Sequence, residues 1–182
     1  MFVEPASREL AFADLEIPIA HGETMLAPKL EARMVQELQL RSTDNVLEVG
    51  TGSGYMTALL AALTARVCSV EIEPALAAFG RANIEHLLNP NIVLEEGDGS
   101  HGWQTHAPYD AIVLTGSTPV LPASLLAQLA VGGRLLAVVG VEPVMTAQLV
   151  SCVESGKYST QNLFETCIRP LRNAQTAARF VF

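Results

Sequence analysis

The stretch VLEVGTGSGY, residues 46–55, constrains this chain more than any other. A short apolar, β-prone run ends in three alternating glycines, Gly50, Gly52 and Gly54, and a helix-forming run begins at once. Glycine lacks a Cβ, so it adopts backbone angles closed to other residues and lets a neighbouring group touch the main chain. The helix that follows presents unpaired N–H groups at its start. A buried strand, a glycine turn and a helix form the opening unit of an α/β sheet, and the turn is where a ligand can meet backbone.

The rest of the chain repeats this alternation. Pro28 suits a first helical turn, and KLEARMVQELQL continues it with Leu30, Met34 and Leu38 on one face. After the glycine turn come a helix (YMTALLAALTA), a strand (RVCSVEI), a proline-started helix (PALAAFGRANIEHLL), a strand (NIVLEEGDG) and a fourth strand (YDAIVLTGS). PASLLAQLAVGG then predicts a helix capped by its glycines, before a fifth strand, RLLAVVG. VMTAQLVSCV and YSTQNLFETCI, joined through ESGK, predict a hairpin. The expected architecture is therefore α/β: a doubly wound, mainly parallel seven-stranded sheet with a C-terminal antiparallel hairpin. Ligands of such sheets sit at the carboxyl ends of the central strands. The exits after Val49, Glu71, Glu96 and Thr115 are the places to look.

Bulk properties exclude several classes. At 182 residues and 49% apolar composition, the chain suits one folded domain, residues 1–182, with an N-terminal lid or substrate loop (1–27) and a C-terminal tail (172–182). No apolar run approaches the roughly 20 residues of a spanning helix. The N-terminus lacks a signal-peptide pattern. The three cysteines are widely spaced with no CxxC, so a reduced, cytoplasmic protein with neither a disulfide framework nor a zinc site is expected. A net charge of −8 disfavours a nucleic-acid surface. No membrane partner is expected, and the oligomeric state is open.

Spacing at the exits narrows the ligand. A dinucleotide fingerprint needs G-x-G-x-x-G, and here Tyr55 stands where its third glycine would be. No Gly-Lys-Ser/Thr follows, so a phosphate-binding P-loop is excluded. Glu71 ends the second strand about 20 residues after the turn, where an acid accepts hydrogen bonds from ribose hydroxyls. Glu73, before a proline-started helix, reads as a cap or surface charge. Asp98 leaves the third strand between Gly97 and Gly99, where a carboxylate can accept from an adenine amino group or simply shape a turn.

Together these exits resemble the class I S-adenosylmethionine-dependent methyltransferases over residues 46–140. The resemblance implies cofactor contacts from Glu48, Gly50, Thr51, Gly52, Ser53, Gly54 and Tyr55 in the first unit. It further implies Glu71 and Ile72, then Gly97, Asp98 and Gly99, then Thr115, with S-adenosylhomocysteine as the product. TGSTP, after the fourth strand, does not match the Asn/Asp-Pro-Pro-aromatic motif of amino-methylating DNA enzymes.

The flanks resemble one family within that class, the protein-L-isoaspartate (D-aspartate) O-methyltransferases. LAFADLEIPIAHGETMLAP is similar to that family's P-I-G-x-G-Q-T-I-S-x-P loop, and LFETCIRPL to its P-V-R-F-V-P-L strand. The resemblance implies methyl transfer from S-adenosylmethionine to the carboxylate of isoaspartyl or D-aspartyl residues in aged proteins. The ester then closes to a succinimide that can reopen as aspartate. An ionised carboxylate needs no strong base, so a catalytic His–Asp or Cys–His pair is not required. By the same resemblance Thr24 is kept at the catalytic loop, while the family's serine is Leu26. Glu23 replaces the family's Gln, Met25 replaces its Ile, and Arg169 stands at the second Val of its C-terminal strand. Glu23, Met25 and Arg169, with His21 in the same loop, are the expected substrate contacts. An arginine at 169 can pair with a carboxylate where leucine cannot.

Three readings stay open: isoaspartyl methylation, methylation of another acceptor, or cofactor binding with little catalysis because of Leu26. His86, His101 and His106 lack metal-ligand spacing. Trp103, Tyr109 and Cys68, Cys152 and Cys167 read as packing residues.

Overall fold

The computed structural model describes residues 2–87 and 90–176. Two short strands, β1 (Ile17–Pro18) and β2 (Thr24–Met25), pair antiparallel and close the N-terminal loop on itself. Helix α1 (Pro28–Glu37) follows, and then β3 (Asn45–Val49), α2 (Tyr55–Leu63), β4 (Arg66–Glu71), α3 (Pro74–Glu85), β5 (Ile92–Glu96) and β6 (Tyr109–Leu114). The chain continues through a single-turn helix α4 (Ala123–Leu126), β7 (Leu129–Val141), β8 (Val144–Glu154) and β9 (Lys157–Glu165).

The sheet has seven strands in the order β5-β4-β3-β6-β7-β8-β9. All pairs from β5 to β7 are parallel; β8 runs antiparallel to both β7 and β9. The predicted architecture and hairpin are both present. β3 lies between β4 and β6, where the order reverses, and the crevice beyond its carboxyl end is the site such topology provides.

The sheet is covered on both faces. On one, Val46, Val113, Leu136 and Val138 pack with Leu60 of α2 and Met34 of α1. On the other, Leu47, Ile112, Leu114 and Leu135 pack with Leu125 of α4. Successive strand residues point to opposite faces, so each central strand reads as an unbroken apolar run. The expected α1 face holds: Met34 and Leu38 are fully buried. Tyr109 is a core residue, its hydroxyl donating to Trp103 O at 2.6 Å. Cys68 and Cys152 are buried, but Cys167 is exposed, contrary to expectation. It follows β9, where the chain has left the sheet.

The helix expected over PASLLAQLAVGG lasts one turn. The backbone of Gln128 already belongs to the sheet, its carbonyl accepting from Tyr109 N at 2.8 Å. Gly132 and Gly133 therefore serve a bulge in β7, where the register jumps from Tyr109↔Leu129 to Ala111↔Arg134. A Cβ on Gly133 would lie 2.8 Å from Ala130 O and 2.9 Å from Tyr109 O, too close for any other residue.

Arg134, just past the bulge, holds the base of the domain together. Its guanidinium donates to the carbonyls of Leu38 (2.6 Å), Gln39 (2.9 Å) and Asp110 (2.9 Å), and pairs with Asp44 at 2.6 Å. Asp44 is buried, and its other acceptor work is the N–H of Arg41. Removing one partner of a buried pair leaves an uncompensated charge and costs about 3–5 kcal/mol. Arg134→Met should lower the unfolding free energy by about that amount in urea titrations, and Arg134→Lys, which cannot span all four acceptors, should recover only part.

Candidate active site

The site is built where β3, β4, β5 and β6 end. Gly50 (φ +100°) leaves β3, and a Cβ there would collide with the Thr115 hydroxyl. That hydroxyl lies 2.9 Å from Val49 O and 2.8 Å from Gly50 O, so the β6 exit grips the start of the turn. From the far side α3 closes in: a Cβ on Gly80 would lie 2.8 Å from Thr51 Cγ2 and 2.9 Å from Gly52 O. Gly80 was not singled out in the sequence, because a lone glycine inside a helix gives no local signal of the turn it must accommodate.

Glu71, buried at the tip of β4, fixes the turn. One carboxylate oxygen accepts from Gly52 N at 2.9 Å and the other from Glu73 N at 3.0 Å. Each oxygen keeps a lone pair, and the residue lines the cleft. Asp98, past β5, accepts from Ser100 N on one oxygen and from the Asn173 amide on the other, both at 2.9 Å. Burial pushes its carboxyl up, but the hydrogen bonds of Ser100 and Asn173 outweigh that and hold it below its ordinary value.

These exits border one cleft that opens to solvent. Its floor and one wall are Gly50, Gly52, Glu71 and Ile72; a second wall is Gly97, Asp98 and Gly99, with Thr115 beside them. The N-terminal loop contributes Glu23, Thr24 and Leu26, and the segment after β9 contributes Arg169 through Arg172. Twelve of the expected contacts thus meet in one space, bordered also by the N-terminal loop and the segment after β9.

Seven do not line it. Thr51 and Ser53 are buried behind the turn; Thr51 Oγ1 lies 2.6 Å from Ser69 Oγ, and Ser53 O accepts from Asn83 at 2.9 Å. Gly54 caps α2, and Tyr55 packs edge-on against Phe2 at 5.3 Å. Met25 pairs with Ile17 in the short N-terminal ladder. His21 (φ +60°) points its ring toward Glu73 at 3.9 Å.

Glu48 is the clearest departure. Its side chain is fully buried on the α2 face, where it accepts from the Thr57 hydroxyl; its other oxygen has no protein partner. Glu31 of α1 is buried on the same side of the sheet and also keeps an unpartnered oxygen. Burial pushes each carboxyl up to about 8, helped at Glu31 by repulsion from Glu48; at Glu48 the hydrogen bonds of Thr57 and Ser69 oppose the rise and repulsion from Glu71 adds to it. In the unfolded chain they would release protons near 4.5. The folded state therefore binds more protons between those limits, and stability falls as pH rises from about 4.5 toward 8, then levels off. Glu31→Gln and Glu48→Gln should each flatten this slope, so that denaturant midpoints at pH 6 and pH 8.5 draw together relative to the parent.

The environment of Leu26 is apolar. It is buried and packs in the same cluster as Met34 and Leu38, with one side on the cleft. Among the described residues the Arg169 guanidinium makes no hydrogen bond or ion pair, whereas its backbone carbonyl accepts from Ser117 N at 2.8 Å. Arg172, which the sequence left inside an unplaced tail, bonds Glu23 at 3.1 Å and Glu73 at 2.8 Å. The negative charge of Glu23 is thus paired. No grouping of three or more His, Cys, Asp or Glu suited to a metal exists among the described residues.

Comparison with known proteins agrees with this geometry. The family model described as protein-L-isoaspartate(D-aspartate) O-methyltransferase matches residues 1–175. The chain belongs to that family. Protein-L-isoaspartate O-methyltransferase 1 of Geotalea uraniireducens is 41% identical over 174 residues, covering 95% of this chain and 80% of that protein. Protein-L-isoaspartate O-methyltransferase 2 of Pelobacter propionicus is 48% identical over 139 residues, 76% of this chain and 62% of the relative. A solved protein-L-isoaspartate O-methyltransferase superposes with a TM-score of 0.83 at 23% identity, covering 96% of this chain and 58% of that one. A Plasmodium falciparum structure of the same description, in complex with S-adenosyl-L-homocysteine, gives a TM-score of 0.77 at 23% identity, covering 91% and 83%. The two superpositions establish a Rossmann-like methyltransferase fold for this family member. The expected fold and family are thus borne out.

The residues present fit the cofactor of such folds. The glycine turn leaves the main chain open to contact beside Gly50 and Gly52, Glu71 offers paired acceptor oxygens, and Asp98 offers a carboxylate at the far end of the same cleft. The remaining wall, Ile72 and Leu76, is apolar and suits the face of a base.

Proposed function

We propose that this chain is an S-adenosylmethionine-dependent carboxyl methyltransferase acting on L-isoaspartyl and D-aspartyl residues of damaged proteins. The observation that carries the reading is that the acceptor-loop residues Thr24 and Leu26 border the same cleft as Gly50, Glu71 and Asp98. Acceptor and cofactor sides are therefore contiguous, as direct transfer requires. When bound, S-adenosylmethionine supplies a methyl group already activated on a sulfonium.

The protein's own work is then to hold, orient and exclude water. Glu71 would take the ribose hydroxyls while its bonds to the N–H groups of Gly52 and Glu73 keep it in place. Asp98 stays ionised and so remains an acceptor near neutral pH. The attacking carboxylate is itself ionised there, so positioning is the main demand, and positioning alone can account for several powers of ten in rate. Arg169, exposed at the cleft and without an intramolecular partner among the described residues, would orient that carboxylate through charge-assisted hydrogen bonds. Leu26 supplies an apolar wall in place of a hydroxyl.

The direct test is labelled methyl transfer to an isoaspartyl peptide against its aspartyl twin. Transfer to the isoaspartyl peptide alone is expected, and none at high enzyme concentration would overturn the reading. Glu71→Ala should weaken cofactor binding at least ~10-fold by calorimetry, the equivalent of one or two charge-assisted hydrogen bonds. Arg169→Ala should raise the KM for the peptide about 10-fold with little change in cofactor affinity. Leu26→Ser should raise isoaspartyl turnover if the missing hydroxyl limits the rate.

A second reading, methylation of a different acceptor, is favoured by one observation: Leu26 is committed to the core beside α1, leaving that wall without a hydrogen-bond donor. Turnover on other carboxylates with none on isoaspartate would select it. No helix among the described residues is long and apolar enough to cross a membrane.

A further inference from the structure

The segment after β9 is rooted and then latched. Its root is fixed to the β6 exit: Ser117 N donates to Arg169 O at 2.8 Å, Leu171 N to Ser117 O at 2.9 Å, and the Ser117 hydroxyl to Ile168 O at 3.0 Å. Gly116 lets it lie close, since a Cβ there would be 3.0 Å from Leu171 N. Beyond the root, two side chains reach across the mouth of the cleft. Arg172 donates to Glu23 of the N-terminal loop (3.1 Å), to Glu73 before α3 (2.8 Å) and to the carbonyl of His21 (3.3 Å). Asn173 donates to Asp98 past β5 at 2.9 Å.

We propose that Arg172, aided by Asn173, is a positioning residue that latches the acceptor loop to the cofactor half of the cleft, so that cofactor is released only when the latch opens. The inference rests on the cofactor reading above. A lone exposed ion pair contributes little and could not hold a loop. Here one guanidinium joins three acceptors on two distant segments, Glu23 and the His21 carbonyl in the N-terminal loop and Glu73 before α3, where the other polar approach is His21 to Glu73 at 3.9 Å. The carboxylates are partly buried, while the Arg172 side chain is 38% exposed, so the pairs remain open to screening by salt. Glu73 is held below its ordinary carboxyl value, first by its hydrogen bond from Arg172. Arginine suits the task because its planar fork serves several carboxylate oxygens together, which a lysine ammonium does not.

The latch also accounts for one departure from the family pattern. Glu23, in place of glutamine, would by itself add negative charge beside a carboxylate acceptor. Arg172 consumes that charge and turns it into a fastening.

The test is the dissociation rate of S-adenosylhomocysteine, measured by displacement in stopped flow, on the whole chain and on variants shown to keep the parent's cooperative melting. Arg172→Ala should speed release at least 10-fold, Arg172→Lys by less, and Asn173→Ala a few-fold. Raised ionic strength should speed release from the parent and leave Arg172→Ala nearly unmoved, which a purely structural role would not predict. Glu23→Gln should speed release in the parent and add nothing in Arg172→Ala. If Arg172→Ala fails to fold, Glu23→Gln and Glu73→Gln carry the test. A parent that binds S-adenosylhomocysteine while every folded variant releases it at the parent rate would overturn the latch. A parent that binds none would instead overturn the cofactor reading.

Discussion

The whole site hangs on the bond between Gly52 N–H and the Glu71 carboxylate. It ties the turn after β3 to the tip of β4, and it works because both partners are fixed by parallel pairing from Asn45↔Arg66 to Val49↔Val70. A parallel ladder sets the two strand ends level, so the acid at the end of one reaches the turn at the end of the other. The turn must then be tight enough to pass between Thr115 on one side and Gly80 on the other. Three glycines, one helical glycine and one buried acid form a single packing solution, and the cleft is the space it leaves.

The same packing explains why the turn is braced from below by polar groups. Thr51, Ser69 and Thr57 form a hydroxyl run that ends at Glu48. Full burial of an ionised carboxylate would cost far more than its one hydrogen bond returns, so Glu48 remains protonated near neutral pH and can act as a donor as well as an acceptor. The family resemblance placed Glu48 with the cofactor contacts. Strand geometry decides otherwise: residues at i and i+1 face opposite sides, and position 48 shares the α2 face with Val46.

That case marks where sequence is informative and where it stops. The order of strands and helices was legible because buried parallel strands are continuous apolar runs and because prolines mark helix starts at Pro28 and Pro74. The cleft walls were legible because they are strand exits, whose position follows from topology. PASLLAQLAVGG misled because a glycine pair looks the same at a helix end and in a bulge; only the contact with Tyr109 distinguishes them. Arg172 and Asn173 were not legible at all. Their partners, Glu23, Glu73 and Asp98, lie on three other segments, and nothing local in RNAQ announces a long-range contact.

Leu26 remains the point on which chemistry turns, and its surroundings argue for adaptation over decay. A decayed site would be expected to lose its acids and its glycines together, since nothing would then hold the turn open. Here Gly50, Gly52, Glu71 and Asp98 all border the cleft, Glu71 accepts from Gly52 N–H, Asp98 accepts from Ser100 N–H, and Arg172 bonds Glu23 of the N-terminal loop. Under the proposed reading, the Arg169 guanidinium on the same cleft would offset the serine hydroxyl that the family resemblance puts at position 26, since a charged donor binds carboxylates more strongly than a neutral one. On that reading the acceptor side would use a charged donor in place of a neutral one, which should bias the site toward acceptors whose carboxylate can approach from the Arg169 wall.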